Sequence, residues 1–370
     1  MRILVVGAGF SGAVIARELS FNSKVLSIDV FESRPHIGGN CHTERDAETG
    51  IMIHKYGPHI FNTSNEVVWN YINQFDEFMP YKHQVKIKVK NQIFSMPINL
   101  HTINQFFNTT FSPDEAKKFI SQIAENIEHP KNFEEQALSF IGKELYDSFF
   151  KGYTKKQWGC DPKEIPASVL KRLPVRFNYD DSYYTSKFVG IPKNGYTYII
   201  KKILGNPKIN IYLNKYYRPE IHNLNYDHII YTGPIDRYFD YKYGRLGYRT
   251  VTFEANLSDG DFQGCSQMNY GDEDVDFTRI TEHKHFNYWE EHNKTIFFKE
   301  FSKETEKGDE PFYPKRLQTD IKIFDLYSRD AAELEKVHFL GRLATYRYMD
   351  MHNVISEALD LAKKFNSDLF

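Results

Sequence analysis

Residues 2–12 read Arg-Ile-Leu-Val-Val-Gly-Ala-Gly-Phe-Ser-Gly, and this stretch decides the fold of the chain. The apolar run over 2–6 ends abruptly in glycine, which is typical of a short buried strand in a parallel sheet. A helix is predicted from Ser11 to about Ser20, and residues 24–31 return as a second strand. Strand, glycine turn, helix and strand in this succession indicate a βαβ unit.

The three glycines of the turn have the spacing that a Rossmann-type dinucleotide site requires. Gly7 permits the tight turn, Gly9 lets a pyrophosphate approach the backbone, and Gly12 lets the helix pack closely on the strand. Unpaired N–H groups at the helix N-terminus then face the phosphates. Glu32, which ends the second strand, can accept hydrogen bonds from both hydroxyls of an adenosine ribose. The alternative, a glycine-rich turn without a ligand, is disfavoured by these features together.

Length and composition describe an ordinary globular chain with one unusual feature. Its 370 residues are too many for one core and predict two or three domains. Hydrophobic residues make up 41% and charged residues 26%, and the net charge of −2 excludes a general nucleic-acid binder. Aromatic residues make up 16%, which fits either a large core or a site that stacks planar ligands.

The cysteines and the apolar segments predict the compartment. Cys41, Cys160 and Cys265 are odd in number, far apart and without metal-ligand spacing, so neither a disulfide framework nor a metal site is predicted. The N-terminal strand lacks the features of a signal peptide, and no stretch approaches the ~20 apolar residues of a membrane span. We therefore expect a cytoplasmic, reduced protein without membrane insertion and without nucleic acid as a partner.

Local patterns predict further elements along the chain. Ser112 is a good N-cap with Pro113 at the first helical position, and the apolar residues that follow have the helical period. Asn132 can cap a second helix. Residues 82–97 include a strict alternation of Val or Ile with Lys, which predicts a half-exposed antiparallel hairpin. Other predicted strands span 207–213, 226–232, 248–254 and 294–301, and the final helix spans about 352–365.

Two segments indicate which dinucleotide is bound. Residues 34–40, Arg-Pro-His-Ile-Gly-Gly-Asn, resemble the second glycine signature of the glutathione-reductase-like FAD superfamily. Gly341 and Arg342 end a strand predicted over 337–340, and in that superfamily this segment brings a helix N-terminus to the flavin, where the helix dipole favours negative charge. The predicted cofactor is therefore FAD. The residues predicted to bind it are Gly7, Gly9, Phe10, Ser11, Gly12, Glu32, Ser33, Arg34, Gly39, Asn40, His59, Ile60, Thr232, Gly341, Arg342, Asp350 and Met351.

The predicted fold class is α/β. A Rossmann-like FAD-binding domain is interrupted by an inserted helical domain and by an antiparallel β-sheet domain. The FAD-binding domain is predicted to take residues 1–78, 191–244 and 316–370. The helical domain with a substrate loop takes residues 101–175, and the sheet domain takes residues 79–100, 176–190 and 245–315.

A second resemblance covers nearly the whole chain. Residues 151–159, Lys-Gly-Tyr-Thr-Lys-Lys-Gln-Trp-Gly, resemble the KGYTxKQWG segment of bacterial UDP-galactopyranose mutases. Residues 171–177, 231–236, 279–286 and 308–314 resemble other segments of that family. The resemblance implies an isomerase that interconverts UDP-galactopyranose and UDP-galactofuranose by covalent catalysis through N5 of reduced FAD. UDP-galactose is then the substrate, and an external reductant keeps the flavin reduced.

The resemblance also implies which residues form the site. Arg172 and Arg279 correspond to the family's arginines on the diphosphate, because guanidinium groups suit its growing negative charge. Tyr183, Tyr313 and Tyr348 correspond to tyrosines that hydrogen-bond the phosphates. The predicted catalytic residues are Arg172, Arg279, His59, Tyr348, Tyr313 and Asp350. The predicted substrate-binding residues are Phe150, Tyr153, Thr154, Trp158, Arg172, Tyr183, Arg279, Glu300, Tyr313 and Tyr348.

The remaining predicted residues have less direct roles. Phe150 and Tyr153 are expected to stack on uracil and Trp158 to border the sugar, although aromatic residues at helical spacing are more often core residues. Glu300 is expected to support the phosphate tyrosines. Asp350 is a candidate for orienting the sugar or the ribityl chain.

Departures from the family pattern fall close to the flavin and the sugar. His59 matches a family histidine beside the flavin, where it either tunes the flavin or packs, but Asn62 stands where some members have a second histidine. Pro58 replaces a small residue, and Met349 replaces a tyrosine. Substrate preference is therefore left open, including acceptance of UDP-N-acetylgalactosamine. A homodimer, and a lid over UDP that includes Arg172 and residues 163–171, are further hypotheses.

Three other functions compete with the mutase. A flavin-dependent oxidase or dehydrogenase of the amine-oxidase type would use oxidised FAD and would not need paired arginines. A flavin- or nucleotide-binding module would bind UDP-sugars without converting them. An NAD-dependent epimerase carries a Tyr-x-x-x-Lys pair, and that spacing occurs three times here, as expected by chance in a chain rich in tyrosine and lysine.

Overall fold

The structure, a computed structural model, describes residues 1–172 and 175–368, apart from the side chains of Ser168, Lys171, Arg172 and Asp368. The strands are β1 (Arg2–Val6), β2 (Ser27–Phe31), β3 (Thr43–Arg45), β4 (Met52–His54), β5 (Phe61–Thr63), β6 (Phe78–Pro80), β7 (Val85–Val89), β8 (Gln92–Met96), β9 (Phe188–Pro192), β10 (Ile209–Tyr212), β11 (His228–Tyr231), β12 (Tyr248–Asp259), β13 (Gln267–Tyr270), β14 (Arg279–Glu282), β15 (Lys294–Glu304), β16 (Tyr313–Pro314) and β17 (Val337–Phe339). The helices are α1 (Phe10–Ser20), α2 (Glu66–Ile72), α3 (Leu100–Phe107), α4 (Pro113–Ile123), α5 (Phe133–Leu145), α6 (Gly152–Trp158), α7 (Tyr196–Ile203), α8 (Pro219–His222), α9 (Ile235–Tyr238), α10 (Gln318–Ala332) and α11 (Met351–Asp368).

Five strands form a parallel sheet in the order β10-β2-β1-β11-β17. The side chains of β1 alternate between its two faces: Ile3 and Val5 belong to the core that contains α1, whereas Leu4 belongs to a separate core with Ile229. Helix α1 is buried along most of its length and packs against α11. The predicted Rossmann-like unit is confirmed, although its second strand begins at Ser27.

Seven strands form a second sheet in the order β16-β12-β15-β14-β13-β7-β8. The hairpin predicted within 82–97 is confirmed as β7 and β8, joined by Lys90 and Asn91, whose φ angles of 46° and 62° suit a two-residue turn. One pair departs from the predicted antiparallel sheet, since β13 runs parallel to β7. This pairing is possible because a long excursion of the chain, rather than a hairpin, separates the two strands.

The predicted helical region is confirmed but is divided more finely than expected. Ser112 accepts a hydrogen bond from the Glu115 N–H, and the Glu115 carboxylate accepts one from the Ser112 N–H, which completes a capping box at α4. Asn132 caps α5. Gly142 interrupts α5 with a φ of 73°, and a wider turn over Tyr146–Lys151 precedes α6. No helix within residues 1–172 and 175–368 has both the length and the apolar character to cross a membrane.

Strand β9 departs from the predicted division into domains. It pairs with β5 and β6 in a separate three-stranded sheet. Residues 188–190, which the prediction placed in the antiparallel sheet domain, therefore do not belong to the seven-stranded sheet. Stacking of Phe188 on Trp69, with ring centroids 5.0 Å apart and an interplanar angle of 5°, holds β9 beside α2. The other predicted boundaries stay predictions.

Candidate functional site

A cavity of about 700 Å³ lies between the parallel sheet and the seven-stranded sheet. The turn after β1 and the residues that follow β2 and β11 border it, and ligands of open α/β sheets bind at such carboxyl ends of parallel strands. Residues of β13, β14 and β16 border it as well. Its volume is within the usual range of ligand pockets. The predicted site residues that line it are Gly7, Gly9, Phe10, Ser11, Glu32, Ser33, Arg34, Gly39, Asn40, His59, Ile60, Tyr183, Thr232, Arg279, Tyr313, Arg342, Tyr348, Asp350 and Met351.

The glycine turn has the geometry of a phosphate cradle. Gly7 has a φ of 104°, and a Cβ there would lie 2.1 Å from Thr232 Oγ1. A Cβ on Gly12 would lie 1.9 Å from the Gly7 carbonyl oxygen, so the helix could not approach the strand with any other residue. Helix α1 begins after Gly9 without a side chain that caps it. Its first N–H groups are therefore suited to bind a pyrophosphate.

Glu32 is fixed at the end of β2 by main-chain donors. Its Oε2 accepts from the Ala8 N–H and its Oε1 from the Arg34 N–H, each at 2.9 Å. The side chain is buried and lines the cavity. A carboxylate with this orientation can accept hydrogen bonds from ribose hydroxyls, as the sequence predicts.

Arg34 is the basic group of this part of the cavity. Its guanidinium carbon lies 4.4 Å from the ring centroid of Tyr56, and Nη2 donates to Asn40 Oδ1 at 2.9 Å and to the Glu310 carboxylate at 3.3 Å. Nη1 is buried and has no hydrogen-bond partner among the described residues. Since a buried unpaired donor is costly, this atom indicates that a ligand supplies the acceptor.

Arg279 and Glu300 form a buried ion pair beside the cavity. They are cross-strand neighbours on β14 and β15, and Arg279 Nε donates to Glu300 Oε2 at 2.7 Å. The side chain of Glu300 is 1% exposed and that of Arg279 is 17% exposed. Burial opposes the charge on Arg279, but the Glu300 carboxylate holds the pKa of the guanidinium well above its ordinary value. Arg279 is therefore a fixed positive charge that lines the cavity.

Three tyrosines, Tyr183, Tyr313 and Tyr348, line the cavity together with this charge. The rings of Tyr313 and Tyr348 stack with centroids 6.0 Å apart, and the Arg342 guanidinium lies 5.5 Å from the Tyr313 centroid. Burial raises the pKa of Tyr313 to about 12, so its phenol remains a hydrogen-bond donor at neutral pH. Tyr183 is fixed by its backbone N–H, which donates to the His83 carbonyl at 2.8 Å.

His59 is a neutral histidine in the cavity wall. Its Nδ1 lies 2.8 Å from the Gly57 carbonyl oxygen, so Nδ1 carries the proton and Nε2 is left as an acceptor. Burial lowers the pKa of His59 to about 4, and the positive charges of Arg342 and Arg279 add to this effect. The ring is therefore uncharged at neutral pH.

Known proteins match this chain along its whole length. Residues 148–348 match the family model described as UDP-galactopyranose mutase, and residues 5–75 match the model of an NAD(P)-binding Rossmann-like domain. A probable UDP-galactopyranose mutase of Klebsiella pneumoniae is 52% identical over 99% of this chain and 95% of its own length. The chain belongs to the UDP-galactopyranose mutase family. A dTDP-fucopyranose mutase of Escherichia coli is 50% identical over 98% of both chains, so the family resemblance extends to two substrates.

The fold agrees with the family. A crystal structure of reduced UDP-galactopyranose mutase superposes with a TM-score of 0.76 at 14% identity, over 100% of this chain and 96% of the other. This chain is a member of that family, and its cofactor is FAD. The free Arg34 Nη1, the buried Glu32 and the uncapped start of α1 fit the adenosine and pyrophosphate of FAD.

Several predicted residues lie outside the cavity lining. Phe150 is 6% exposed and packs in the core of the helical region against Phe133. The stacking of Phe150 on uracil therefore stays a prediction. Thr154 is buried, and Trp158 packs against the same core. The residues that line the cavity also do not include Gly12, Gly341, Tyr153 or Glu300.

Arg172 is the predicted residue that the structure leaves open. A 3₁₀ turn over Ala167–Arg172 leads up to it, but its side chain, which belongs to the predicted lid, lies outside the described residues, and so do Leu173 and Pro174. The pairing of Arg172 with Arg279 on the diphosphate therefore stays a prediction.

The cavity also contains residues that sequence reasoning missed. Lys215 and Arg237 follow β10 and β11, so the rule that ligands bind at the carboxyl ends of parallel strands could have found them. His83 carries no local signal, because it precedes the hairpin and enters the cavity only through the pairing of β7 with β13. The missed lining residues with polar or reactive groups include Cys41, His83, Tyr184, Lys215, Tyr216, Tyr217, Tyr231, Arg237, Gln267 and Glu310.

Proposed function

We propose that this protein is a UDP-galactopyranose mutase that interconverts UDP-galactopyranose and UDP-galactofuranose with reduced FAD. The observation that carries the proposal is Arg279, which is held by Glu300 and lines the same cavity as three tyrosines and the dinucleotide turn. An ordinary flavin oxidase has no need for a buried cation poised for an anionic leaving group. A nucleotide diphosphate that departs from a sugar does need one.

Arg279 is proposed to bind the diphosphate of UDP. Its Nε is already bonded to Glu300, so the guanidinium is oriented before the substrate arrives and its terminal N–H groups are available for phosphate oxygens. As the glycosidic C–O bond breaks, negative charge grows on the diphosphate, and a preorganised cation stabilises the transition state more than the ground state.

The tyrosines are proposed to complete the diphosphate site. Tyr313 and Tyr348 are stacked, and the phenol of Tyr313 keeps its proton at neutral pH because burial raises its pKa. Protonated phenols donate hydrogen bonds to phosphate oxygens. They also retain UDP near the sugar, so that the same nucleotide can recombine with the rearranged ring.

The cofactor residues would hold FAD at its adenosine and phosphate groups. Glu32 would bind the ribose, the start of α1 the pyrophosphate, and Arg34 an acceptor that its Nη1 now lacks. When bound and reduced, FAD supplies N5 as the nucleophile for covalent catalysis. Neutral His59 would place no additional positive charge beside it. Cytoplasmic location, an external reductant and a homodimer stay predictions from the sequence.

The test is conversion of UDP-galactofuranose to UDP-galactopyranose, followed by chromatography under anaerobic conditions with and without dithionite. Conversion that requires reduction supports the mutase. Conversion of a substrate by oxidised protein, with reduction of the flavin, would support the oxidase alternative. Binding of UDP without conversion in either state would support a binding module.

A second candidate is dTDP-fucopyranose mutase, because the Escherichia coli relative at 50% identity bears that name. Fucose has a methyl group where galactose has a hydroxymethyl group, and dTDP adds a methyl group to the base and lacks the ribose 2′-hydroxyl. Comparison of kcat/KM for the UDP-galactose, dTDP-fucose and UDP-N-acetylgalactosamine pairs decides among them. A site built to bond a hydroxyl group rejects the analogue without it strongly.

A further inference from the structure

Lys156 lies in a cage of main-chain oxygens outside the cavity. Its ammonium group donates to the carbonyls of Tyr270 and Asp272 at 2.8 Å each and to the carbonyl of Phe277 at 3.2 Å. These carbonyls belong to the loop over residues 270–277, which joins β13 to β14. A lysine ammonium has three donors, and the loop presents three acceptors that converge on it.

Helix α6 approaches this loop as closely as the two backbones allow. A Cβ on Gly152 would lie 2.3 Å from the carbonyl oxygen of Gly271, so a larger residue does not fit there. Gly152 and Lys156 are four residues apart and share one face of α6. The helix is therefore attached to the loop at two points, one by close packing and one by hydrogen bonds.

The charge of Lys156 is retained at neutral pH. Burial lowers its pKa to about 8, and the carboxylates of Asp272, Asp274, Asp276 and Glu273 oppose this shift. The neighbouring Lys155 differs from it, since it makes an exposed ion pair with the Glu273 carboxylate at 3.1 Å. Exposed pairs of this kind contribute little to stability.

The next residue of α6 after Gly152 is Tyr153, which is half-buried and is not among the residues that line the cavity. Its phenol interacts electrostatically with Arg279, Glu300 and Tyr313, and burial raises its pKa. The far end of α6 is held by Arg249, whose Nε donates to the Gln157 carbonyl at 3.1 Å. The position of Tyr153 thus depends on how α6 is attached to the seven-stranded sheet.

We propose that Lys156 is a positioning residue, which fastens α6 to the 270–277 loop and thereby presents Tyr153 to the nucleotide of the substrate. The proposal rests on the function proposed above, because it takes UDP to bind beside Tyr153. Lys156 then fixes the position of α6, whereas the aromatic residues of the 151–159 segment are expected to contact the substrate.

The Lys156→Ala variant tests the role of the three carbonyl oxygens around the ammonium group. In Lys156→Ala, the carbonyl oxygens of Tyr270, Asp272 and Phe277 lose their donor in an acidic surrounding. Carbonyl oxygens are the groups with which proteins replace the hydration shell of K⁺, and ammonium ion resembles the lost side-chain group. We therefore expect K⁺ or ammonium ion to replace the missing side chain in this variant.

The experiment compares the holoenzymes of wild type, Lys156→Ala and Lys155→Ala. Hydrogen exchange of peptides that cover 150–160 and 270–278 reports the attachment, and calorimetry reports UDP affinity. In Lys156→Ala both segments exchange faster and UDP binds about tenfold more weakly, the size of one hydrogen bond to a charged group. K⁺ or ammonium chloride reverses both changes, whereas tetramethylammonium chloride at equal ionic strength does not. Lys155→Ala behaves as wild type.

Unchanged exchange in Lys156→Ala, equal changes in Lys155→Ala, or recovery with every salt would overturn the proposal. If Lys156→Ala does not fold, Lys156→Arg is used to test the proposal. Arginine keeps the positive charge, but its planar guanidinium does not match three converging carbonyl oxygens. Wild-type exchange and affinity in Lys156→Arg would then refute the proposal. A wild-type protein that does not bind UDP would refute the proposed function. Hydrogen exchange of the two segments would still show whether Lys156 attaches α6 to the 270–277 loop.

Discussion

At the scale of single residues, buried charges and buried neutral rings dominate the site. Glu300 is almost fully buried, yet one of its oxygens has no hydrogen-bond partner among the described residues. Such a carboxylate is tolerated because Arg279 neutralises it at 2.7 Å. The main effect of the pair is therefore to orient the Arg279 guanidinium rather than to stabilise the fold.

Replacement of Glu300 by Gln tests this role. Gln keeps the shape but removes the charge that orients Arg279, so we expect kcat/KM for UDP-galactofuranose to fall about tenfold, or ~1.4 kcal/mol. Glu254→Gln is the control, because Glu254 lies exposed on the same sheet. Equal effects of both substitutions on kcat/KM, measured with reduced enzyme, would contradict the role of Glu300.

Buried histidines predict the response of stability to pH. Burial lowers the pKa of His59 to about 4 and the pKa of His83 and His283 to about 3. The unfolded chain therefore binds more protons than the folded protein between pH 3 and 6.5. The free energy of unfolding should decrease as the pH falls below 6.5, by up to ~1.4 kcal/mol per pH unit for each histidine.

Urea unfolding at several pH values between 7.5 and 4.5 measures this slope. In His283→Gln, the free energy of unfolding should change less per pH unit, because one titrating histidine no longer contributes. This difference is expected whatever the stability of the variant at pH 7.5. The carboxylate of Glu282, whose pKa is lowered to about 2, adds a loss only below about pH 4.5. A free energy of unfolding that stays constant from pH 6.5 to 4.5 would contradict the prediction.

At the scale of elements, backbone constraints set where helices end and how closely they pack. Gly142 has a φ of 73° inside α5, and a Cβ there would lie 2.4 Å from the carbonyl oxygen of Ile123 at the end of α4. This glycine therefore lets α4 and α5 meet. Gly50 has nearly the same φ, 72°, but no atom within 4 Å of a Cβ.

These two glycines separate backbone strain from steric conflict. Gly50→Ala has only the cost of a left-handed residue, about 1–2 kcal/mol. Gly142→Ala adds the conflict with Ile123, so we expect a loss of ~3 kcal/mol or more in the free energy of unfolding. Chemical denaturation measures both variants, and equal losses would show that the α4–α5 contact relaxes without cost.

At the scale of the whole molecule, the cavity is bordered by both the parallel sheet and the seven-stranded sheet. The Arg34–Glu310 ion pair at 3.3 Å connects the segment after β2 to the segment that carries Tyr313. Residues of both sheets or of the segments that follow their strands line the cavity, so a bound cofactor would contact both. Cofactor binding and global stability are therefore expected to be coupled.

Removal of FAD tests this coupling. A ligand that binds only the folded state stabilises it by RT ln(1 + [L]/Kd). We expect a lower Tm for the apoprotein and a rise on addition of FAD, with ~1.4 kcal/mol of stabilisation for each tenfold increase in free FAD above Kd. Thermal denaturation of apoprotein at increasing FAD concentrations measures it, and a Tm independent of FAD would contradict it.

Local patterns were sufficient for much of the fold. The β1–α1–β2 unit, the capping box at Ser112 and the hairpin of β7 and β8 depend on interactions within a few residues. Side-chain period, capping and turn preference specify such features in the sequence itself. The glycine turn and Glu32 likewise indicated the dinucleotide site, because their spacing reflects one short βαβ unit.

Contacts between distant segments decided the rest. Phe150 packs in the core of the helical region, β9 belongs to a third sheet, and Lys156 donates to carbonyls more than a hundred residues away. The pairing of β7 with β13 brought His83 to the cavity. No local period encodes these outcomes, because which face of an element is buried, and against what, depends on the free energy of packing the whole chain at once.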